Sequence, residues 1–125
     1  VDEHNIRFSI SFGPIMIKDG VNVAPKRYAL GDIQFRYPRA ALCQADTLHY
    51  YVITANCRSN DGRFPTIQEF SEYAAATGCR HAYTLDGGQT AVIAMNDELI
   101  NAVLFGFQRR ISDIIYFATA LPDGG

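Results

Sequence analysis

A chain of 125 residues is long enough for one domain and too short for two. With 48% hydrophobic and 19% charged residues it has the composition of a folded globular chain, which excludes a disordered one. A net charge of -2 gives no bulk attraction for nucleic acid or anionic membrane, so an anionic ligand would have to be held by a local arginine cluster.

In chain order, Ile6-Arg7-Phe8-Ser9-Ile10-Ser11-Phe12 alternates apolar and polar residues, the pattern of a half-buried strand. Gly13-Pro14 interrupts it. Ile15-Met16-Ile17 then runs into Lys18-Asp19-Gly20, where Asp-Gly favours a tight hairpin turn. Residues 20–38 read as a surface excursion, with a short strand expected near Ile33-Phe35. Arg39 to Gln44 and Leu48 to Ala55 predict two more strands joined by a short link at Ala45-Asp46-Thr47. A polar loop follows from Asn56 to Pro65.

Thr66 followed three residues later by Glu69 forms a capping-box signature. Ile67, Phe70, Tyr73 and Ala74 recur at helical spacing, and Gly78 stands where a left-handed stop is wanted. A helix at about 66–77 is predicted. Beyond it, His81 to Leu85 reads as a strand ending at Asp86-Gly87-Gly88. Ala91 to Met95 reads as another strand, Asn96-Asp97 as a turn, and Ile111 to Ala120 as a long final strand. The sum is an α/β (α+β) fold: a mixed sheet of six or more strands, some parallel across one main helix. No apolar run approaches the ~20 residues of a bilayer span, so no membrane span is expected.

Cys43, Cys57 and Cys79 have neither CxxC metal spacing nor an even count. They read as small buried hydrophobes, or as one disulfide plus a free thiol. The aspartates, histidines and asparagines fall into no metal-ligand spacing. His4, His49 and His81 read as structural. Neither metal nor cofactor is expected.

The most pointed segment for chemistry is Leu85-Asp86-Gly87-Gly88-Gln89-Thr90. A carboxylate at the end of an apolar strand, followed by two glycines, lets the backbone approach a ligand and expose amide groups. The bland alternative is a turn in which Asp86 caps its own backbone. Arg39, Arg58, Arg63, Arg109 and Arg110 lie on loops and strand edges, where guanidinium forks could grip a phosphate, or could simply be solvated. A catalytic reading requires Asp86 within about 10 Å, one screening length, of at least one of Arg39, Arg58 and Arg109.

Five segments, in order along the chain, resemble the phosphodiester glycosidase family. They are Ser11-Phe12-Gly13-Pro14 with Ile17-Lys18-Asp19-Gly20, Pro38-Arg39-Ala40-Ala41-Leu42-Cys43, Asn56-Cys57-Arg58, Ala82-Tyr83-Thr84-Leu85-Asp86-Gly87-Gly88, and Asn101 with Arg109. The resemblance implies a hydrolase that acts on a glycosyl phosphodiester, such as one carrying N-acetylglucosamine, in cell-envelope, exopolysaccharide or other exported material. It implies Asp86 as the catalytic carboxylate and Arg39, Arg58 and Arg109 as phosphate or sugar anchors. The Gly87-Gly88-Gln89-Thr90 turn would shape the pocket. Residues 1–125 resemble the C-terminal portion of a single family domain, with an upstream segment or a second chain expected to complete it.

Three departures stand out: Gln89, Thr90 and Ala91 replace the third glycine and serines, Asn56 replaces an aspartate, and Ala40 replaces a threonine. Asn56 and Gln89 motivate an alternative, a non-catalytic glycan- or phosphate-binding module of the same fold. By resemblance the location is secreted or cell-envelope.

Overall fold

The computed structural model describes residues 4–29, 34–56 and 63–120. Its centre is a five-stranded sheet in the order β2-β1-β5-β3-β4. The strands are β1 (Ile15–Lys18), β2 (Val21–Asn22), β3 (Arg39–Asp46), β4 (His49–Ala55) and β5 (His81–Leu85), with helix α1 (Ile67–Ala76) between β4 and β5. A separate ribbon pairs β6 (Ala94–Met95) with β7 (Glu98–Leu99).

Adjacent strands of the central sheet are antiparallel. Both β4 and β5 pair with β3, one on each side, so the two strands joined by the helix run parallel to each other across it. The parallel relation expected across the helix therefore holds for strand direction, with β3 inserted between the pair. The turns follow local chemistry. Asp19 and Gly20, between β1 and β2, have φ values of 52° and 77°, and Asn96 and Asp97, between β6 and β7, have 51° and 63°. Asp, Asn and Gly tolerate this left-handed region best.

Helix α1 starts as its sequence predicts. The Thr66 hydroxyl accepts the Glu69 N–H at 3.2 Å, and the Glu69 carboxylate accepts the Thr66 N–H at 2.9 Å. Glu69 is also gripped by both terminal nitrogens of Arg36, at 2.7 and 2.9 Å. Ile67, Phe70, Ser71 and Ala74 form the buried stripe. They close a core with Met16, Ile17, Ala41, Cys43, Cys79 and Ala82. Phe70, 1% exposed, is the largest side chain there; burying such a ring stabilises the fold by about 1.5–3 kcal/mol. A disulfide joins Cys43 on β3 to Cys79 after the helix, with 5.6 Å between Cα atoms. Of the two readings open for the cysteines, the disulfide is the one realised, and Cys57 lies outside the described residues.

Among the described residues, the opposite side of the sheet has no helix on it. Because side chains alternate along a strand, Leu42, Val52, Tyr83 and Ile15, which are register partners or neighbours, point away from the Ala41–Cys43 core. Val52 and Ile15 are 38% and 49% exposed.

Two expected strands do not form, and the sheet does not reach six strands. Residues 6–12 alternate as expected yet form no ladder, and Phe8 is 91% exposed. Residues 111–120 likewise carry no strand, with Ile114, Tyr116 and Phe117 at 71%, 77% and 68%. In both cases the apolar pattern is present but no neighbouring strand among the described residues supplies backbone partners; alternation selects a buried side only where a ladder exists. Ala91 to Met95 shortens to β6 because the Ile93 N–H is taken by the Asn101 side chain at 2.6 Å. The strand expected near Ile33-Phe35 lies partly outside the described residues, and the remainder, Gln34 and Phe35, is not a strand.

Candidate functional site

The register of the sheet gathers one end of three strands. Arg39, at the start of β3, pairs with Ala55 at the end of β4, and Ala40 pairs with Leu85 at the end of β5. Asn56 and Asp86 are the residues that leave the sheet at this end.

Asp86 is followed at once by close packing. Gly88 N–H donates to the Pro38 carbonyl at 2.9 Å, and a Cβ on Gly87 would lie 2.3 Å from that same oxygen. Gly88, at φ 64°, lies under the Tyr37 ring, which a Cβ would approach to 2.6 Å. The glycines therefore let the acid-bearing loop lie flat against Tyr37-Pro38-Arg39. Their amides are not presented to a ligand, since Gly87 N–H donates to Asp86 Oδ1 at 2.9 Å and Gly88 N–H to Pro38. The 3-10 turn Gly88–Thr90 then closes through Thr90 Oγ1, which donates to the Gly87 carbonyl at 2.8 Å.

Asp86 Oδ1 thus caps its own loop, the bland reading of this segment, while Oδ2 does something more. It accepts a charge-assisted hydrogen bond from Arg109, 23 positions along the chain. Both side chains are about half exposed, 47% for Asp86 and 54% for Arg109. A fork of this kind has donors left over for a second anion. The separation required of a catalytic reading is met by Arg109.

Arg39 has a different setting. It is 4% exposed, and its Nε donates to the Pro65 carbonyl at 3.1 Å and an Nη to the Phe35 carbonyl. Burial lowers its pKa from the usual guanidinium value. Its backbone lies against Gly87, while its side chain ties the segments before β3 and before α1 together. Arg58 lies outside the described residues. Gln89 Nε2 donates to the Phe107 carbonyl at 3.0 Å, joining the acid loop to the stretch just before Arg109.

Sequence reading passed over a pair of side-chain amide contacts between the segments that carry Asp86 and Arg109. Asn56 Nδ2 donates to the carbonyls of Ala91, at 3.3 Å, and Ala102. Asn101 Nδ2 donates to the same two carbonyls, at 2.7 and 3.3 Å. Both asparagines stand in recognisable segments, but nothing in their spacing shows that they share acceptors. Among the described residues, no three His, Cys, Asp or Glu side chains gather as a metal site would require, and no helix is long and apolar enough to cross a membrane.

Fold and site together define a small α+β domain with a carboxylate–arginine pair on the loops at one end of its sheet. The phosphodiester glycosidase family profile matches residues 1–118, and the chain belongs to that family. It is 27% identical over 109 residues to the SPbeta prophage-derived uncharacterized protein YomE of Bacillus subtilis (strain 168), an alignment covering 87% of this chain and 17% of that protein. A crystal structure of a hypothetical protein from Synechocystis shares the fold, with a TM-score of 0.63 at 22% identity over 76% of this chain and 18% of that one. The chain therefore spans less than a fifth of the length of either relative.

Proposed function

We propose that this domain carries part of the active site of a hydrolase that cleaves a glycosyl phosphodiester in envelope or exported glycan material. The contact between Asp86 and Arg109 carries the reading. Arg109 would bind a phosphate oxygen with the donors that Asp86 leaves unused, offsetting negative charge as the bond breaks. Asp86, displaced from or sharing that fork, would orient water or move the proton. Gly87 and Gly88 fix where the carboxylate emerges. Gln89 and Thr90 brace the loop, through Phe107 and Gly87 respectively. Arg39 is assigned to holding the loops around the pocket, and substrate anchoring to Arg109, with Arg58, outside the described residues, kept as a second anchor on the family resemblance alone.

Family membership supports the reaction class. The Cys43–Cys79 disulfide supports export, since such bonds persist in oxidising compartments. The small share of each relative that is matched, and the uncovered apolar side of the sheet, support completion of the domain by a further segment or a second chain.

One observation favours a non-catalytic glycan- or phosphate-binding module instead. Where the family pattern has an ionisable aspartate, the Asn56 amide is spent on two backbone carbonyls. The two readings separate in an assay of the full chain with an α-N-acetylglucosaminyl phosphodiester. Turnover is expected, and Asp86→Asn should lower kcat/KM by about 10²–10⁴, the range for losing a general acid or base, with an unchanged circular dichroism spectrum. Saturable binding without sugar release would establish the binding module, and undiminished turnover by Asp86→Asn would remove Asp86 from the chemistry.

A further inference from the structure

We propose that Asn56 is a positioning residue, which with Asn101 clamps two backbone carbonyls and thereby sets Asp86 against Arg109; its kinetic consequence rests on the hydrolase reading above. The clamp is doubly connected: each carboxamide donates to both Ala91 and Ala102. Ala91 is 0% exposed and immediately follows the 3-10 turn that ends the Asp86 loop. Ala102 opens the stretch that leads through Leu104–Gly106 to Arg109. Asn101 Oδ1 also accepts the Ile93 N–H at 2.6 Å, so the β6–β7 ribbon between the two carbonyls is folded onto the same amides.

Asn56 leaves the sheet directly beyond Ala55, whose partner is Arg39. The end of β4, held by its ladder to β3, thus anchors both loops that carry the ionic pair. Gln89 adds a parallel tie to Phe107.

The donors decide the chemistry. A carboxamide offers two N–H groups, whereas a carboxylate only accepts. An aspartate at this position would aim a charged oxygen at two carbonyl oxygens in a largely enclosed site, where Asn56 Oδ1 already has no partner among the described residues. Asparagine here therefore retains a structural function that an aspartate could not perform in this arrangement.

The test uses the full chain with Asn56→Asp, the isosteric change, and Asn56→Ser, a milder one that keeps a donor. Turnover of the phosphodiester and amide hydrogen exchange are both followed. Asn56→Asp should lose roughly 10²-fold in kcat, the scale of a misplacement of about 1 Å at a reacting group, with KM nearly unchanged. Asn56→Ser should fall between it and the parent. Asn56→Asp combined with Asn101→Asp should be little worse than Asn56→Asp, because both act on the same two carbonyls. Exchange should quicken across residues 91–110 and stay slow in β3 and β5.

Full kcat in Asn56→Asp, a loss confined to KM, or independent multiplying losses in the double variant would each overturn the clamp. If the parent protein turns over no phosphodiester, exchange decides: faster exchange confined to 91–110 upholds the clamp while the hydrolase reading falls, and unchanged exchange removes the clamp.

Discussion

At the scale of single residues, Gly87 and Gly88 have different reasons to be glycine. Gly87 faces backbone: the Pro38 carbonyl oxygen would be 2.3 Å from an added Cβ, and a main-chain oxygen just before β3 that already accepts the Gly88 N–H cannot readily swing aside. Gly88 faces the Tyr37 side chain, which can move, but it holds φ 64°, where an L side chain costs about 1–2 kcal/mol. We expect Gly87→Ala to destabilise by about 1–3 kcal/mol through overpacking and to shift Asp86 with it. A denaturant titration together with the turnover assay would check this, and Gly88→Ala should be the milder change in kcat.

The place of Asp86 was legible, as a carboxylate at the end of an apolar strand before two glycines, and so was the bland alternative, since Oδ1 does cap its own loop. The exposed backbone amides expected beside it were not found, since both glycine N–H groups bond within the loop region. The meeting of Asp86 with Arg109 was not legible either: 23 positions and a hairpin separate them, and the contacts folding that hairpin run through side-chain amides without a periodic signature. Arg39 shows the reverse problem. Nothing in Pro-Arg-Ala distinguishes an arginine that anchors phosphate from one buried against the Phe35 and Pro65 carbonyls.

At the scale of elements, helix α1 was the most readable piece, because its signals are local. Cap, apolar spacing and terminating glycine all lie within thirteen residues, from Thr66 to Gly78. Glu69 does more than complete the box: the Arg36 fork and the Thr66 N–H together hold its carboxyl at about 2, well below the usual 4.5. A carboxylate whose folded pKa is depressed adds stability that is complete above 4.5 and disappears as pH falls toward 2. Acid unfolding followed by circular dichroism should therefore show a loss of stability across that window, which Glu69→Gln removes; salt should weaken it, since the pair is exposed. The strands were less readable for a matching reason. β3, β4 and β5 have partners for their ladders, whereas 6–12 and the apolar stretch 111–120 have no strand to pair with among the described residues. Alternation reports which side of a strand could be buried, and says nothing of whether another strand is there to pair.

At the scale of the whole molecule, stability among the described residues rests on one small core and one covalent tie. The disulfide closes a loop with a sequence separation of 36 residues, from β3 round the helix to the lead-in of β5. Chain entropy puts the stabilisation from such a closure at about 3–4 kcal/mol. Reducing it, or replacing both Cys43 and Cys79 by alanine, should lower the denaturant midpoint by a corresponding amount; an unchanged midpoint would mean that the core holds this arrangement unaided. The odd cysteine count left the pairing undecidable from sequence, because only the fold sets Cys79, at the end of the helix-bearing crossover, beside Cys43 within β3.

The other end of the sheet has the opposite character from the Asp86 end. β3 and β4 are joined there by a turn at Thr47 and Leu48, where Leu48 is 85% exposed and left-handed at φ 56°. The seven residues of β4 place Leu48 in that turn about 26 Å from Asn56. A linker inserted between Thr47 and Leu48 would fix the domain to a solid support by the end remote from the ionic pair, leaving Asp86 and Arg109 facing the solution.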